Sequence, residues 1–115
     1  MAVVGTSAGG GLAVALMVLL RDAGRPLPSC SILFSPAVDV TFRDDVLDLE
    51  AADVILSLAF VRSAGRIYAG DLDPDHPIVS PINADLAGLS TCTCSPTPEG
   101  RSALDRVVEI ARAST

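Results

Sequence analysis

The sequence predicts an α/β fold, part of a doubly wound and mostly parallel sheet, and three observations carry that expectation. A short apolar run, Ala2-Val3-Val4, meets a glycine-rich turn, Gly5-Thr6-Ser7-Ala8-Gly9-Gly10, which opens onto a long apolar run from Leu12 to Leu20. A second apolar, β-rich run, Ser31 to Phe34, follows a loop containing Gly24, Pro26 and Pro28. Strand, helix and strand of these lengths make one right-handed βαβ unit. With 115 residues, half of them apolar, the chain has the material for a hydrophobic core, and one tyrosine with three phenylalanines makes that core aliphatic.

In chain order, the first strand ends in the turn, and the helix from Gly9–Gly11 is expected to run to Arg21 or Ala23. Its sequence is apolar all round, so burial on most sides is expected. Ala23-Gly24-Arg25-Pro26 supplies a glycine C-cap followed by proline. Ser31 to Phe34 reads as a buried parallel strand, and Ser35-Pro36-Ala37-Val38-Asp39 leaves it as a loop. Residues 51 to 66 carry Val54, Leu56, Leu58, Ala59 and Val61 at helical spacing. Residues 70 to 81 hold three prolines and read as loop, residues 81 to 89 as a turn-rich connector, and residues 103 to 113 as a helix. Ser90 to Arg101 is polar and proline-broken where a parallel sheet would want an apolar run, and a shift of reading frame would account for it.

Composition narrows the function classes. The net charge is −6, all eight basic residues are arginine, and no basic run offers a phosphate-binding face, so a nucleic-acid partner is not expected. The longest apolar run is about half of the roughly 20 residues that span a bilayer, and no positively charged leader precedes the first strand, so neither a transmembrane segment nor a signal peptide is expected. Cysteines 30, 92 and 94 are odd in number, and Cys92-Thr-Cys94 lacks the spacing of a zinc site. Free thiols in a cytoplasmic chain, with no metal and no cofactor, are the expectation.

Ser7 stands between Gly5 and Gly9 in the pattern G-x-S-x-G, after a strand and before a helix, as a nucleophile elbow requires. The turn forces the serine into strained backbone geometry, and the flanking glycines are expected to remove Cβ atoms that would clash where strand and helix meet. A serine hydroxyl held clear of the fold beside helix-start N–H groups suits acyl transfer. The alternative is a glycine-rich turn with an incidental serine. Phosphate binding at the same turn lacks both the Gly-Lys-Ser/Thr ending and the G-x-G-x-x-G spacing. Asp71-x-Asp73-x-Asp75 opens like a calcium loop, but His76 stands where glycine is needed and Ile82 where glutamate is needed. His76 is the sole histidine, and it reads as a loop residue packing or capping locally rather than as a general base.

The run Gly5-Thr6-Ser7-Ala8-Gly9-Gly10-Gly11-Leu12-Ala13 resembles the elbow of bacterial carboxylesterases of the hormone-sensitive-lipase group of α/β-hydrolases. Ser35-Pro36-Ala37-Val38-Asp39-Val40-Thr41 is similar to that family's Ser-Pro-Trp-x-Asp-Leu-Thr segment, with Ala37 in place of the aromatic. Tyr68-Ala69-Gly70 with Asp73-Pro74-Asp75-His76-Pro77, and then Ser80-Pro81-Ile82-Asn83-Ala84-Asp85-Leu86-Ala87-Gly88-Leu89, continue the likeness across residues 2 to 89. The resemblance implies a carboxylic-ester hydrolase acting on small-molecule esters, with Ser7 as nucleophile and the Ala8 backbone N–H as an oxyanion donor. It implies that residues 40 to 70 help form the acyl pocket, where Phe42, Leu56 and Phe60 either line it or pack in the core.

The family's His-Gly-Gly-Gly oxyanion motif would precede the elbow strand, and its catalytic histidine would follow the last helix. The chain is therefore expected to be a partial domain, truncated at both ends. Residues 1–36 would form the βαβ unit, 40–70 the cap and acyl-pocket region, 71–89 a loop, 90–101 the anomalous segment and 102–115 a helix. The acid is expected after residue 89, where Glu99 and then Asp105 are the available carboxylates. Two outcomes follow for the chain: an active esterase, or a non-catalytic remnant that self-associates through exposed strand edges.

Overall fold

The computed structural model describes residues 1–41, 57–89 and 92–94. Strand β1 (Ala2–Thr6) leads through Ser7 into helix α1 (Ala8–Asp22), and β2 (Cys30–Phe34) returns beside β1. The two strands pair in parallel with Thr6 opposite Phe34, which makes the βαβ unit that the sequence predicts. Helix α2 (Leu58–Ala69), a 3-10 turn (Pro81–Asn83) and a short strand β3 (Cys92–Cys94) follow. The sheet order is β1-β2-β3, all parallel, with β2 in the centre.

Helix α1 covers one face of this sheet. Ala13, Val14 and Met17 pack with Leu33 of β2, and Val3, Leu27, Val38 and Leu89 close around them. Their spacing of one, three and four residues puts them on a single stripe of the helix. The expectation of burial on most sides is corrected on the opposite stripe, where Leu12, Leu16 and Leu19 are between 43% and 53% exposed. One sheet face and one loop can cover only part of a helix circumference, so positions i, i+4 and i+7 on the far side stay open. The helix ends as its sequence requires. Gly24, at φ 62, donates its N–H to the Arg21 carbonyl and Arg25 donates to Leu20, which together make a Schellman closure.

Helix α2 overlaps the run that reads as helical, and its described start is Leu58. Ser57 caps it, its hydroxyl accepting from the Phe60 N–H at 3.2 Å, and the helix runs on through Tyr68 to Ala69 before Gly70 at φ 58. The capping oxygen satisfies a helix-start donor and marks the boundary at Ser57. Residues 51–56, including Leu56, lie outside the described residues, as do Phe42, Glu99, Asp105 and the helix expected over 103–113.

Strand β3 falls inside the segment 90–101 that reads as anomalous. The backbone of Cys92–Cys94 pairs in parallel with Ile32–Phe34, where the sequence lacks the apolar run a parallel sheet would want. A ladder is made by peptide groups, so three residues around a β-branched Thr93 suffice where the β2 edge stands ready to pair.

Candidate active site

The site is built where β1 ends. Ser7 has φ 49 and ψ −121, a conformation costly for any residue with a Cβ. Its backbone is tied on both sides. The Ser7 N–H donates to the Phe34 carbonyl at 3.0 Å, continuing the ladder with β2. The Ser7 carbonyl accepts from the N–H groups of Gly10 (3.0 Å), Gly11 (3.1 Å) and Ala37 (2.9 Å). A serine at a helix start ordinarily spends its hydroxyl on capping. Here the backbone carbonyl takes that work, and the Ser7 hydroxyl makes no capping bond while the residue stays exposed.

Close approach of backbone to backbone makes this turn possible, and the glycines responsible differ in part from those expected. A Cβ on Gly5 would lie 2.5 Å from the Gly9 carbonyl oxygen, and one on Gly10 would lie 2.7 Å from the Pro36 Cβ. A Cβ on Gly11 would overlap the Ala37 carbonyl. Gly9, expected to matter for the same reason, has nothing within 4 Å of its Cβ position. The helix meets the strand through Gly5 and the Ser35–Thr41 segment through Gly10 and Gly11.

Beside Ser7 lies a pocket of about 360 Å³. One wall is Ala8, Gly11 and Leu12 at the start of α1, the other is Val61, Ala64, Gly65 and Tyr68 of α2, and Ala37, Val40 and Val79 complete it. Apart from Ser7 and the Tyr68 phenol every lining side chain is apolar. The first N–H groups of α1 have no carbonyl one turn back to receive them, so this end of the helix carries partial positive charge at the pocket.

Two of the motifs support the pocket rather than enter it as reactive groups. The Val40 N–H donates to the Ser80 hydroxyl at 3.0 Å, and the Ile82 N–H donates to the Val38 carbonyl at 3.0 Å. Asp39 accepts from the N–H (2.8 Å) and hydroxyl (2.6 Å) of Thr41. Arg21, at the far end of α1, donates to the carbonyls of Asp85 and Ala87. Ser80 is fully buried, so Ser80→Ala is expected to leave the Val40 N–H without its partner. The loss should be about 1–3 kcal/mol in urea unfolding.

Among the sequence-derived candidates, Ser7 and Ala8 both line the pocket. Phe60 does not: it is 64% exposed, neither lining nor core, because its neighbours one residue on and four and five on turn inward instead. His76 lies in the loop, exposed, where its Nδ1 accepts from the Ile78 N–H at 3.2 Å. The α2 wall falls in the segment 40 to 70 expected to help form the pocket, but its residues Val61, Ala64, Gly65 and Tyr68 were not singled out for that role. Its signal was Gly65, a glycine inside a helical run, which costs helix stability and so marks a close contact.

A parallel βαβ unit with a strained, outward-facing serine between strand and helix, beside an apolar pocket, defines the nucleophile-elbow class of α/β proteins. Residues 1–96 match the family model of the α/β-hydrolase fold, and the chain belongs to that family. It is 41% identical over 86 residues to an acetyl-hydrolase of Streptomyces hygroscopicus, covering 74% of this chain and 29% of that protein. It is 36% identical over 87 residues to an esterase of Acinetobacter venetianus, covering 74% of this chain and 29% of the relative. Among solved structures, an esterase of the bacterial hormone-sensitive lipase family superposes with a TM-score of 0.74 at 36% identity, over 82% of this chain and 32% of that one. A hormone-sensitive-lipase homologue from a metagenome library gives 0.74 at 30% identity, over 97% and 40%. The chain thus spans under a third of the length of these curated relatives.

Proposed function

We propose that the chain carries the nucleophile and one oxyanion donor of a carboxylic-ester hydrolase acting by a serine acyl-enzyme mechanism. The observation that carries this is Ser7: strained, exposed, released from capping, and set beside an apolar pocket at the start of α1. Ser7 Oγ attacks the ester carbonyl and its proton passes to a base. The Ala8 N–H supports the negative charge that develops on the carbonyl oxygen. Alcohol leaves with a proton, and water then releases the acid from the acyl-serine. His76 is not assigned as that base, since its Nδ1 is occupied by the Ile78 N–H and it stands outside the pocket lining. Neither a metal nor a cofactor is needed for these steps.

The relatives named acetyl-hydrolase and esterase support small, neutral esters as substrates. The free thiol of Cys30 accords with a cytoplasmic setting. No helix among the described residues is long and apolar enough to cross a membrane. Self-association is proposed at the outer edge of β1, which ends the sheet among the described residues.

The test is p-nitrophenyl acetate turnover by the purified chain beside Ser7→Ala, with mass spectrometry for the acyl-serine. Turnover or acylation that depends on Ser7 is expected. Equal rates in both proteins, with no acyl adduct, would assign the chain to the non-catalytic alternative.

A further inference from the structure

We propose that the segment Pro36–Val40 is a rigid spacer between the two helices that wall the pocket, and that Gly65, with Gly11 opposite, sets the pocket width so that straight acyl chains enter and chains branched beside the carbonyl do not. This rests on the proposal above that Ser7 attacks esters, and it adds which acyl groups the site accepts.

Both walls bear on the same segment, one at each end, and both do so through a glycine. On the α1 side, a Cβ at Gly11 would overlap the Ala37 carbonyl oxygen. On the α2 side, a Cβ at Gly65 would sit 2.8 Å from the Val40 carbonyl oxygen and 3.0 Å from the Val40 Cβ. Each obstacle is mainly backbone, which cannot swing aside as a long side chain can. Helix α2 therefore stands as near to Val40 as a residue without a Cβ permits. Gly65 and Val40 both line the pocket, so moving α2 away from Val40 changes the shape of the pocket.

The spacer does not give way, because hydrogen bonds hold it along its length. Ala37 N–H is held by the Ser7 carbonyl (2.9 Å), Val38 carbonyl by Ile82 N–H (3.0 Å), and Val40 N–H by buried Ser80 (3.0 Å). Asp39 binds both donors of Thr41 just beyond. One of these anchors is the carbonyl of Ser7, so the spacer is referenced to the reacting residue. Pocket width and hydroxyl position are consequently fixed in one frame. A side chain added at Gly65 must move α2 outward by several tenths of an ångström, and the gain in width falls in the pocket that Gly65 and Ser7 both line.

The experiment compares kcat/KM for p-nitrophenyl butyrate and p-nitrophenyl 2-methylpropanoate in the parent chain, Gly65→Ala and Ala64→Val. The parent should prefer the straight chain. Gly65→Ala should lower that preference by about tenfold, the usual weight of one methyl group in an apolar pocket. Ala64→Val adds bulk from an exposed, pocket-lining position that the fold tolerates, and should raise the preference by a similar factor. A ratio reports shape, and a general loss of stability lowers both rates without moving it. The same ratio is read as affinity for methyl butyrate against methyl 2-methylpropanoate in Ser7→Ala by NMR titration. Absence of turnover in the parent would count against ester hydrolysis alone, while the affinity ratio still answers for the spacer. No preference in the parent, or a ratio unmoved by both substitutions, overturns the proposal.

Discussion

Ser7→Gly is expected to make the chain more stable and chemically inert. At φ 49 and ψ −121 the Cβ of Ser7 is strained, at a cost of about 1–3 kcal/mol for such conformations. Glycine relieves that strain but loses more backbone freedom on folding, by roughly 0.5–1 kcal/mol. The net gain should be on the order of 1 kcal/mol, which for a domain of this size raises Tm by about 4 °C. Ser7→Ala supplies the control, since it removes the same hydroxyl and keeps the Cβ. It should abolish acylation with no rise in Tm. Differential scanning calorimetry of the three proteins separates the outcomes. A Ser7→Gly chain no more stable than Ser7→Ala would show that the elbow stores no strain.

A second large effect is expected at Gly5, with Gly9 as its comparison. Gly5→Ala would press a methyl group 2.5 Å from the Gly9 carbonyl oxygen and 2.8 Å from the Gly10 Cα, all of it backbone. Either α1 lifts from β1 or the elbow unwinds, and the loss should be about 3 kcal/mol, a large fraction of a domain's stability that is read as a marked fall in the urea midpoint. Gly9→Ala lies in the first turn of α1 with nothing within 4 Å of its added carbon. Alanine is the better helix former there, so this variant should be neutral or more stable by up to about 1 kcal/mol. The elbow pattern treats its two glycines alike, whereas the structure makes one of them indispensable and the other replaceable. Equal losses at both positions would contradict the close approach of strand and helix at Gly5.

The parts of the fold that could be read in advance are those governed by local rules. The turn at Ser7, the helix after it with its Gly24 closure, and β2 all depend on residues within one or two turns of each other, and all stand where the sequence puts them. What escaped prediction depended on distant partners. Leu12, Leu16 and Leu19 read as buried because they are apolar, yet only neighbours in space bury a side chain, and the described sheet and loop reach the other stripe of α1. Strand β3 looked too polar to pair, but the edge of β2 offers its peptide groups whatever the side chains are. Phe60 looked like a pocket or core residue, but it is the face carrying Val61, Ala64 and Gly65 that lines the pocket instead.

The sequence by itself determined the class of the protein, because a strained serine between strand and helix needs glycines at particular spacings and leaves that spacing in the chain. It also marked the Ser35–Thr41 and Ser80–Leu89 segments as belonging together. Only the tertiary structure decided what they do. Val38 and Val40 meet Ile82 and Ser80 across some forty residues of chain, and the hydrogen bonds between them hold the wall of a pocket whose width is set by Gly11 and Gly65. Contacts of that kind arise from where backbones approach each other in space, and no local pattern of residues encodes the distance.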